Sequence, residues 1–176
     1  MHRLRRAIAT TAIALSVLSA GACVAAPRSG APAGTPVPPV GAPAPATWQD
    51  EMVVSINNNR AAAGAPALVR CGSLDRAAQA HSNDQAATNT MTHTGSDGST
   101  IGTRANRSGY LGWTALAENV AAGYTSVDGV MTGWMNSAGH KANLLNPAYT
   151  TVGVGRADSS SGRPYWTQDF GRSGSC

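Results

Sequence analysis

The sequence predicts one α+β domain, with helices in its first part and a β-hairpin at its end. Apolar residues recur at helical spacing in three segments, which indicates three amphipathic helices. Two apolar segments flank a flexible turn at residues 158–162 and indicate the hairpin. A chain of 176 residues has room for one such domain but not for two.

The first two helices are predicted from their apolar faces. Trp48, Met52 and Ile56 recur every fourth residue and define one face of the first helix. The second helix can be capped by Ser73, and His81 lies on its apolar side. We therefore expect His81 to be a structural histidine at the edge of the core.

The later elements follow in order along the chain. Small and polar residues dominate residues 89–115, for which we predict mainly loop. The third helix is indicated by four apolar residues at i, i+3, i+4 and i+7: Val127, Val130, Met131 and Trp134. Gly139 is predicted to break that helix. Residues 151–155 and 165–170 are predicted to form the two strands of the hairpin.

The net charge of +4 belongs mainly to the amino-terminal segment. Arg3, Arg5 and Arg6 precede an apolar run of about fourteen residues, shorter than the ~20 residues that a membrane-spanning helix needs. Residues 1–22 are therefore predicted to be a secretory signal peptide. The remaining ten basic and nine acidic residues give a net charge of +1, which argues against a nucleic-acid partner.

Cys23 follows the predicted cleavage site and leaves two interpretations open. It resembles the lipidated cysteine of a bacterial lipoprotein, which two acyl chains would hold on a membrane. In the alternative, the protein is freely secreted and Cys23 is an unpaired thiol. Residues 23–46 are rich in Pro, Ala and Gly, so we predict an extended tether before a domain at residues 47–176.

Two further cysteines, Cys71 and Cys176, are expected to form a disulfide in an oxidising compartment. This bond would join the last residue to the loop before the second helix. The alternatives are a bond from Cys23 to one of these cysteines, or free thiols.

The candidate functional residues are His93, Glu118 and His140. The sequence contains no HExxH, GxSxG, CxxC or P-loop motif that would name a reaction. His93 lies beside a loop of small residues, His140 follows the third helix, and Glu118 stands between aliphatic residues. Two imidazoles and one carboxylate match the ligands of a divalent metal site with one position open to water.

Several segments, taken together, resemble the CAP superfamily, which includes cysteine-rich secretory proteins, antigen 5 and the plant group-1 pathogenesis-related proteins. The segments occur in the family's order and spacing, and they are most similar to single-domain bacterial members with a secretion or lipoprotein signal. They are residues 56–60 (INNNR), 93–98 (HTGSDG), 117–120 (AENV), 134–145 (WMNSAGHKANLL), 152–155 (VGVG) and 166–171 (WTQDFG).

The resemblance implies a three-layer α-β-α sandwich with a central cleft. Two histidines and two acids face this cleft in the family, and His93, Glu118 and His140 match three of them. The fourth position, a Glu in the family, is Ser137 here, which puts a mechanism with paired carboxylates in doubt. The imidazoles of His93 and His140 can still bind a divalent metal, with zinc favoured.

The resemblance leaves three hypotheses about function for an extracytoplasmic protein that is either secreted or anchored through Cys23. The first is a non-catalytic binding module, expected to be a monomer, whose cleft holds a divalent metal and a lipid, sterol or peptide. The second is a metal-dependent hydrolase in which Glu118 is the general base. The third is a structural envelope protein with a relic cleft.

Overall fold

A computed structural model describes residues 47–176 of the protein, which form five helices and four strands. The helices are α1 (Trp48–Ala62), α2 (Gly72–Thr88), α3 (Ile101–Arg107), α4 (Val127–Met135) and α5 (Ala138–Leu145). The strands are β1 (Val69–Arg70), β2 (Ala115–Ala122), β3 (Thr151–Asp158) and β4 (Pro164–Arg172). The predicted signal peptide, the tether and Cys23 lie outside the described residues. Within residues 47–176, no helix has both the length and the hydrophobicity to cross a membrane.

The four strands of these residues form one sheet in the order β1-β3-β4-β2. β1 runs parallel to β3, whereas β4 is antiparallel to both of its neighbours, β3 and β2. β3 and β4 form the predicted hairpin, and both strands extend beyond the predicted ranges. β2 lies at one edge of the sheet and places Glu118 opposite Asp169 of β4.

Helices cover both faces of the sheet, which confirms the predicted three-layer α-β-α sandwich. α2 packs against β3 and β4, and α3 lies beside α2. α1, α4 and α5 form the opposite layer and bury the larger hydrophobic cluster against the sheet. Its largest fully buried side chains include Met52, Ile56, Trp134, Trp166 and Phe170.

Two glycines of β3 allow α2 to lie directly against the strand. Gly153 and Gly155 are two residues apart, so they face the same side of the sheet. A methyl group at Gly153 would overlap the backbone of Leu74, and one at Gly155 would overlap the backbone of Ala78. The close approach of helix and strand therefore depends on the absence of side chains at these two positions, and it sets the position of His81 on α2.

The prediction of mainly loop for residues 89–115 was wrong where α3 forms. The side chain of Thr100 caps this helix by accepting a hydrogen bond from the amide of Thr103 at 3.3 Å. Arg104 and Ala105 are buried on its inner face. The helix is only two turns long and has few large apolar residues, so it carries almost no periodic signal.

Two helix boundaries also differ from the predictions. α2 begins at Gly72 with Cys71 as its N-cap, so Ser73 lies inside the helix and does not cap it. The break after α4 falls before Gly139, because Ser137 has an extended backbone and α5 begins at Ala138. Gly139 lies in the first turn of α5, where a glycine destabilises the helix less than it would in the helix interior. His140 is therefore held on a helix.

The predicted disulfide between Cys71 and Cys176 is present, with the two Cα atoms 5.2 Å apart. The bonded residues are separated by 105 positions, for which chain entropy gives a stabilisation of up to ~4–5 kcal/mol. Because Cys71 also precedes α2, the bond ties the carboxyl terminus to the helix that carries His81.

A buried arginine joins α1 to the end of α5. Arg60 is fully buried, and its guanidinium donates hydrogen bonds to the carbonyl oxygens of Pro66, Leu144 and Asn146 at 2.7–3.0 Å. Backbone carbonyls thus satisfy the donors of this cation. The contact fixes the carboxyl end of α5, the helix that carries His140.

Candidate functional site

Glu118 of β2 is the centre of the candidate site. Its side chain is 3% exposed, and both carboxylate oxygens accept hydrogen bonds from side-chain nitrogens. Oε1 accepts from Nδ1 of His93 at 2.8 Å, and Oε2 accepts from Nη2 of Arg104 at 2.5 Å. The carboxylate is therefore engaged on both oxygens by residues from outside β2.

Arg104 of α3 holds three parts of the site together. Its side chain is 5% exposed. Nη1 donates to the carbonyl oxygen of Ser99 at 2.9 Å, and Nη2 donates to the carbonyl oxygen of His93 at 3.2 Å as well as to Glu118. One guanidinium thus fixes α3, the segment that carries His93, and the edge strand of the sheet. The side chain of His93 itself is 62% exposed.

His81 of α2 supports the segment that carries His93. Its Nε2 donates to the carbonyl oxygen of Thr92 at 2.7 Å and lies 3.8 Å from Oε1 of Glu118. Burial lowers the pKa of His81, although the nearby Glu118 carboxylate acts in the opposite direction. His81 is thus a buried neutral imidazole with a structural role, as the sequence predicts.

His140 and Ser137 line a cavity of about 320 Å³ between β2 and α4, which we call the cleft cavity. Burial lowers the pKa of His140, and the charge of His93 lowers it further. The His140 imidazole is therefore neutral at neutral pH. The other lining residues are mainly apolar: Met91, Val120, Ala121, Ala122, Tyr124, Gly133 and Trp134.

Adjacent residues of β2 direct their side chains to different helical layers, so the site has a part on each face of the sheet. Successive side chains of a strand point to opposite faces, so Glu118 faces α2 and α3 whereas Asn119 faces α5. Asn119 donates to the carbonyl oxygen of His140 at 3.1 Å and accepts from Asn143 at 2.9 Å. The Glu-Asn pair therefore fixes His93 on one side of the sheet edge and His140 on the other.

Asp169 of β4 is a buried carboxyl that faces Glu118 across the strand pair. It is fully buried, and neither oxygen has a hydrogen-bond partner within residues 47–176. Burial raises the pKa of Asp169 well above its ordinary value, and the Glu118 carboxylate raises it further. A protonated Asp169 can donate to Glu118, whereas an ionised Asp169 would be a buried charge without a partner of its own. Burial and the Glu118 carboxylate therefore favour the neutral form of Asp169, against the smaller effect of Arg104.

The structure brings the predicted residues together in two groups. His93 and Glu118 are in direct contact, and His140 and Ser137 line the cleft cavity. In the described part of the chain, no three His, Cys, Asp or Glu side chains are grouped so that they could hold a metal ion. Metal binding by His93 and His140 stays a prediction.

Arg104 and Asp169 belong to the site but were not among the predicted residues. Arg104 lies in the segment that was predicted to be loop, and nothing near it in sequence marks it as buried. Asp169 carried a weak signal, because it is an acid within the apolar strand predicted at residues 165–170. Its partner Glu118 is remote in sequence, so their pairing could not be read from that strand.

A family model described as CAP, the cysteine-rich secretory protein family, matches residues 54–170. The chain belongs to this family. The match spans His93, Glu118 and His140 and also the two residues that sequence analysis missed, Arg104 and Asp169. CAP membership therefore covers the whole site as the structure assembles it.

The CAP relatives include bacterial proteins that are longer than the matched domain. The uncharacterized protein YkwD of Bacillus subtilis (strain 168) is 33% identical over 132 residues, which cover 73% of this chain and 49% of YkwD. An extracellular SCP-domain protein of Bacillus anthracis is 30% identical, with a TM-score of 0.65 over 71% of this chain and 40% of that chain. This chain thus spans half or less of the length of these two relatives.

A second similar structure supports the fold alone. It is an outer surface protein of Borrelia burgdorferi, 22% identical, with a TM-score of 0.65. The likeness covers 71% of this chain and 92% of that protein.

The ion pair of Arg104 and Glu118 can be tested by a double-mutant cycle. We expect Arg104→Met to lower the free energy of unfolding by about 3–5 kcal/mol, because it leaves a buried carboxylate without its cation. Combining it with Glu118→Gln should cost less than the sum of the two single changes, measured by urea unfolding at neutral pH. Arg107→Met is the matched control. Its ion pair with Asp97 is exposed, so the change should lower the free energy of unfolding by less than about 1 kcal/mol. Additive losses would contradict the coupling.

The raised pKa of Asp169 gives a pH-dependent prediction. Asp169 loses its proton near pH ~4 in the unfolded chain but keeps it to a higher pH in the folded protein. The free energy of unfolding of the wild type therefore falls as the pH rises above that value. Asp169→Asn removes the titration. Its stability relative to the wild type should therefore rise with pH, by up to about 1.4 kcal/mol per pH unit in that window. Unfolding by urea from pH 4 to pH 8 measures this difference, with the exposed Asp128→Asn as control. A difference that does not change with pH would show that Asp169 is ionised in the folded protein.

Proposed function

We propose that this CAP domain is a non-catalytic binding module that acts outside the cytoplasm. The observation that carries the proposal is the state of Glu118, whose two oxygens accept from His93 and Arg104. A general base must contact the water whose proton it takes, and the Glu118 side chain is only 3% exposed. Arg104 holds one oxygen as a buried ion pair, and His93 occupies the other, so the carboxylate serves to position side chains.

The cleft cavity supplies the apolar part of the proposed ligand site. Its walls include Met91, Val120, Tyr124 and Trp134, and Met91 and Tyr124 are also exposed to solvent. A volume of about 320 Å³ is near the lower end for small-molecule pockets, so it suits an acyl chain, part of a sterol or an apolar peptide side chain. We take a lipid acyl chain as the first candidate.

His93 and His140 would supply the polar part, as the two protein ligands of a weak divalent site. They lie close enough for the charge of His93 to lower the pKa of His140. Nδ1 of His93 donates to Glu118, which leaves Nε2 as the free ligand atom, and carboxylate support of this kind is common behind metal-bound histidines. Imidazole ligands favour zinc over calcium or magnesium. A bound zinc ion would supply positive charge for an anionic headgroup or carboxylate. The chain provides two ligands, so water or the bound molecule would complete the coordination.

The proposal places the protein outside the cytoplasmic membrane, secreted or anchored through Cys23, and as a monomer. The predicted signal peptide supports export. The Bacillus anthracis relative is described as extracellular, in keeping with this placement. The near-neutral charge of the predicted mature chain gives no support to a nucleic-acid partner.

Zinc titration followed by calorimetry tests the polar part of the site. We expect saturable binding that is lost when His93→Ala and His140→Ala are combined, and retained in the neighbouring control Lys141→Ala. Affinity should fall as the pH drops below about 6.5, because protonated imidazole cannot bind metal. Since the pKa of His140 is lowered, this residue keeps its ligand form to a lower pH than an ordinary histidine. Equal zinc affinity in the double variant and the wild type would exclude these ligands.

A fluorescent acyl-chain probe tests the apolar part of the site. Ala122→Trp fills the cleft cavity and should weaken probe binding at least about tenfold, whereas Val54→Trp, on the exposed face of α1, should leave it unchanged. Equal weakening by both variants would place the probe elsewhere. Hydrolysis of a peptide or cell-wall substrate that disappears in Glu118→Gln would contradict the non-catalytic assignment. Absence of both zinc and probe binding would favour a purely structural role.

A further inference from the structure

A second cavity, of about 280 Å³, lies between α2 and α3 and is bounded by the loop of residues 95–99. We call it the α2–α3 cavity. It shares no lining residue with the cleft cavity, and the proposed function does not use it.

The two helices line this cavity with opposite chemistry. α2 contributes Asp84 and His81, whereas α3 contributes Arg104 and Arg107. Serine hydroxyls from the loop of residues 95–99 lie between the two walls. The α2 wall therefore presents a carboxylate, and the α3 wall presents two guanidinium groups, which are paired with Glu118 and with Asp97, itself a lining residue.

Asp84 carries the unbalanced charge of the α2 wall. Its oxygens accept hydrogen bonds from the amide of Ser96 at 2.8 Å and from the Ser96 hydroxyl, both of which are neutral donors. These bonds lower the pKa of Asp84, so the carboxyl is ionised. Within residues 47–176 no Lys, Arg or His nitrogen lies at ion-pair distance from it, whereas Asp97 is paired with Arg107.

Each wall also contains a buried nitrogen that has no hydrogen-bond partner within residues 47–176. These atoms are Nδ1 of His81, which is fully buried, and Nε of Arg104, which is 5% exposed. Because Nε2 of His81 donates to Thr92, Nδ1 of the neutral ring is an acceptor, whereas Nε of Arg104 is a donor. Both atoms lie behind the cavity surface, so the accessible side chains of Asp84 and Arg107 determine which ligand fits.

We propose that the α2–α3 cavity binds a small zwitterion, a free α-amino acid, with its ammonium group towards Asp84 and its carboxylate towards Arg107. Arg107 has donors left for this role, because only Nη1 is bonded to Asp97 and the side chain is 61% exposed. A cavity of about 280 Å³ is large enough for an amino acid of small or medium size.

Ligands of a single charge fit this cavity less well. An anion would meet Arg107 but would also lie close to the carboxylates of Asp84 and Asp97. A simple cation would leave the free donors of Arg107 unused. A molecule with an ammonium group and a carboxylate group can use Asp84 and Arg107 at once.

Titration of the isotope-labelled mature protein with L-alanine, followed by amide NMR shifts, tests this proposal. We expect saturable shifts in the loop of residues 95–99. Propionate, which lacks the ammonium group, and ethylammonium, which lacks the carboxylate, should each bind at least about tenfold more weakly. Saturable binding of D-alanine would also support the site and would show that it does not select the α-carbon configuration.

Variants localise the binding and separate it from the cleft. Asp84→Asn and Arg107→Gln should each weaken L-alanine binding at least about tenfold, whereas the exposed Asp128→Asn should not. Because Asp84 also holds Ser96, Ala80→Phe provides a second test that fills the cavity from α2 and leaves that contact intact. The variant combining His93→Ala and His140→Ala should bind L-alanine normally, so failure of the cleft proposal and failure of this one are distinguishable.

Several results would overturn the proposal. Shifts that do not saturate would show that the cavity has no affinity for the zwitterion. Equal binding of propionate would make it an anion site, and equal binding of ethylammonium would make it a cation site. Unchanged L-alanine binding in both Asp84→Asn and Ala80→Phe would place the ligand elsewhere.

Discussion

The buried ion pair between Arg104 and Glu118 is the interaction on which the arrangement of the site depends. Its two charges lie in a nearly dry environment, where an ion pair adds little net stability but where the loss of either partner is costly. The ion pair therefore serves mainly to hold the elements that it joins in fixed positions. One guanidinium fixes α3, the segment that carries His93 and the edge strand β2, while the carboxylate that it neutralises orients the His93 ring.

The edge strand β2 contacts both helical layers, so the site that contains this ion pair spans two layers. Glu118 and Asn119 are neighbours in sequence, yet one faces α2 and α3 and the other faces α5. The first holds the His93 side chain, and the second holds the backbone of His140. The proposed binding module would therefore have a polar side and an apolar side, because the His93 contact lies on one face of the sheet and the cleft cavity opens towards α4.

Buried ionisable groups are concentrated around β2 and β4, and removing them from water costs folding free energy. Glu118, Arg104, Asp169 and His81 are all buried within one cluster, whereas most of the remaining charges are exposed. Hydrophobic residues of similar volume would fold at least as well there. Such a concentration is typical of functional sites, and in this CAP domain it includes Glu118, one of the residues that match the family. Arg104 also lines the α2–α3 cavity, so the residue that holds Glu118 contributes to the second proposed site as well.

The sequence by itself determined the elements whose signal is local. The spacing of Trp48, Met52 and Ile56 predicted α1, and the two apolar segments around a flexible turn predicted the hairpin. The ordered segments that resemble CAP proteins identified His93, Glu118 and His140 as candidate residues. Tertiary structure alone decided the partners of these residues. Arg104 is 14 positions from Glu118, and Asp169 faces Glu118 only because β2 and β4 pair in one particular register. A carboxyl group is a base, an ion-pair partner or a neutral acid according to what surrounds it. That environment comes from chain segments brought together by folding, and sequence spacing does not contain it.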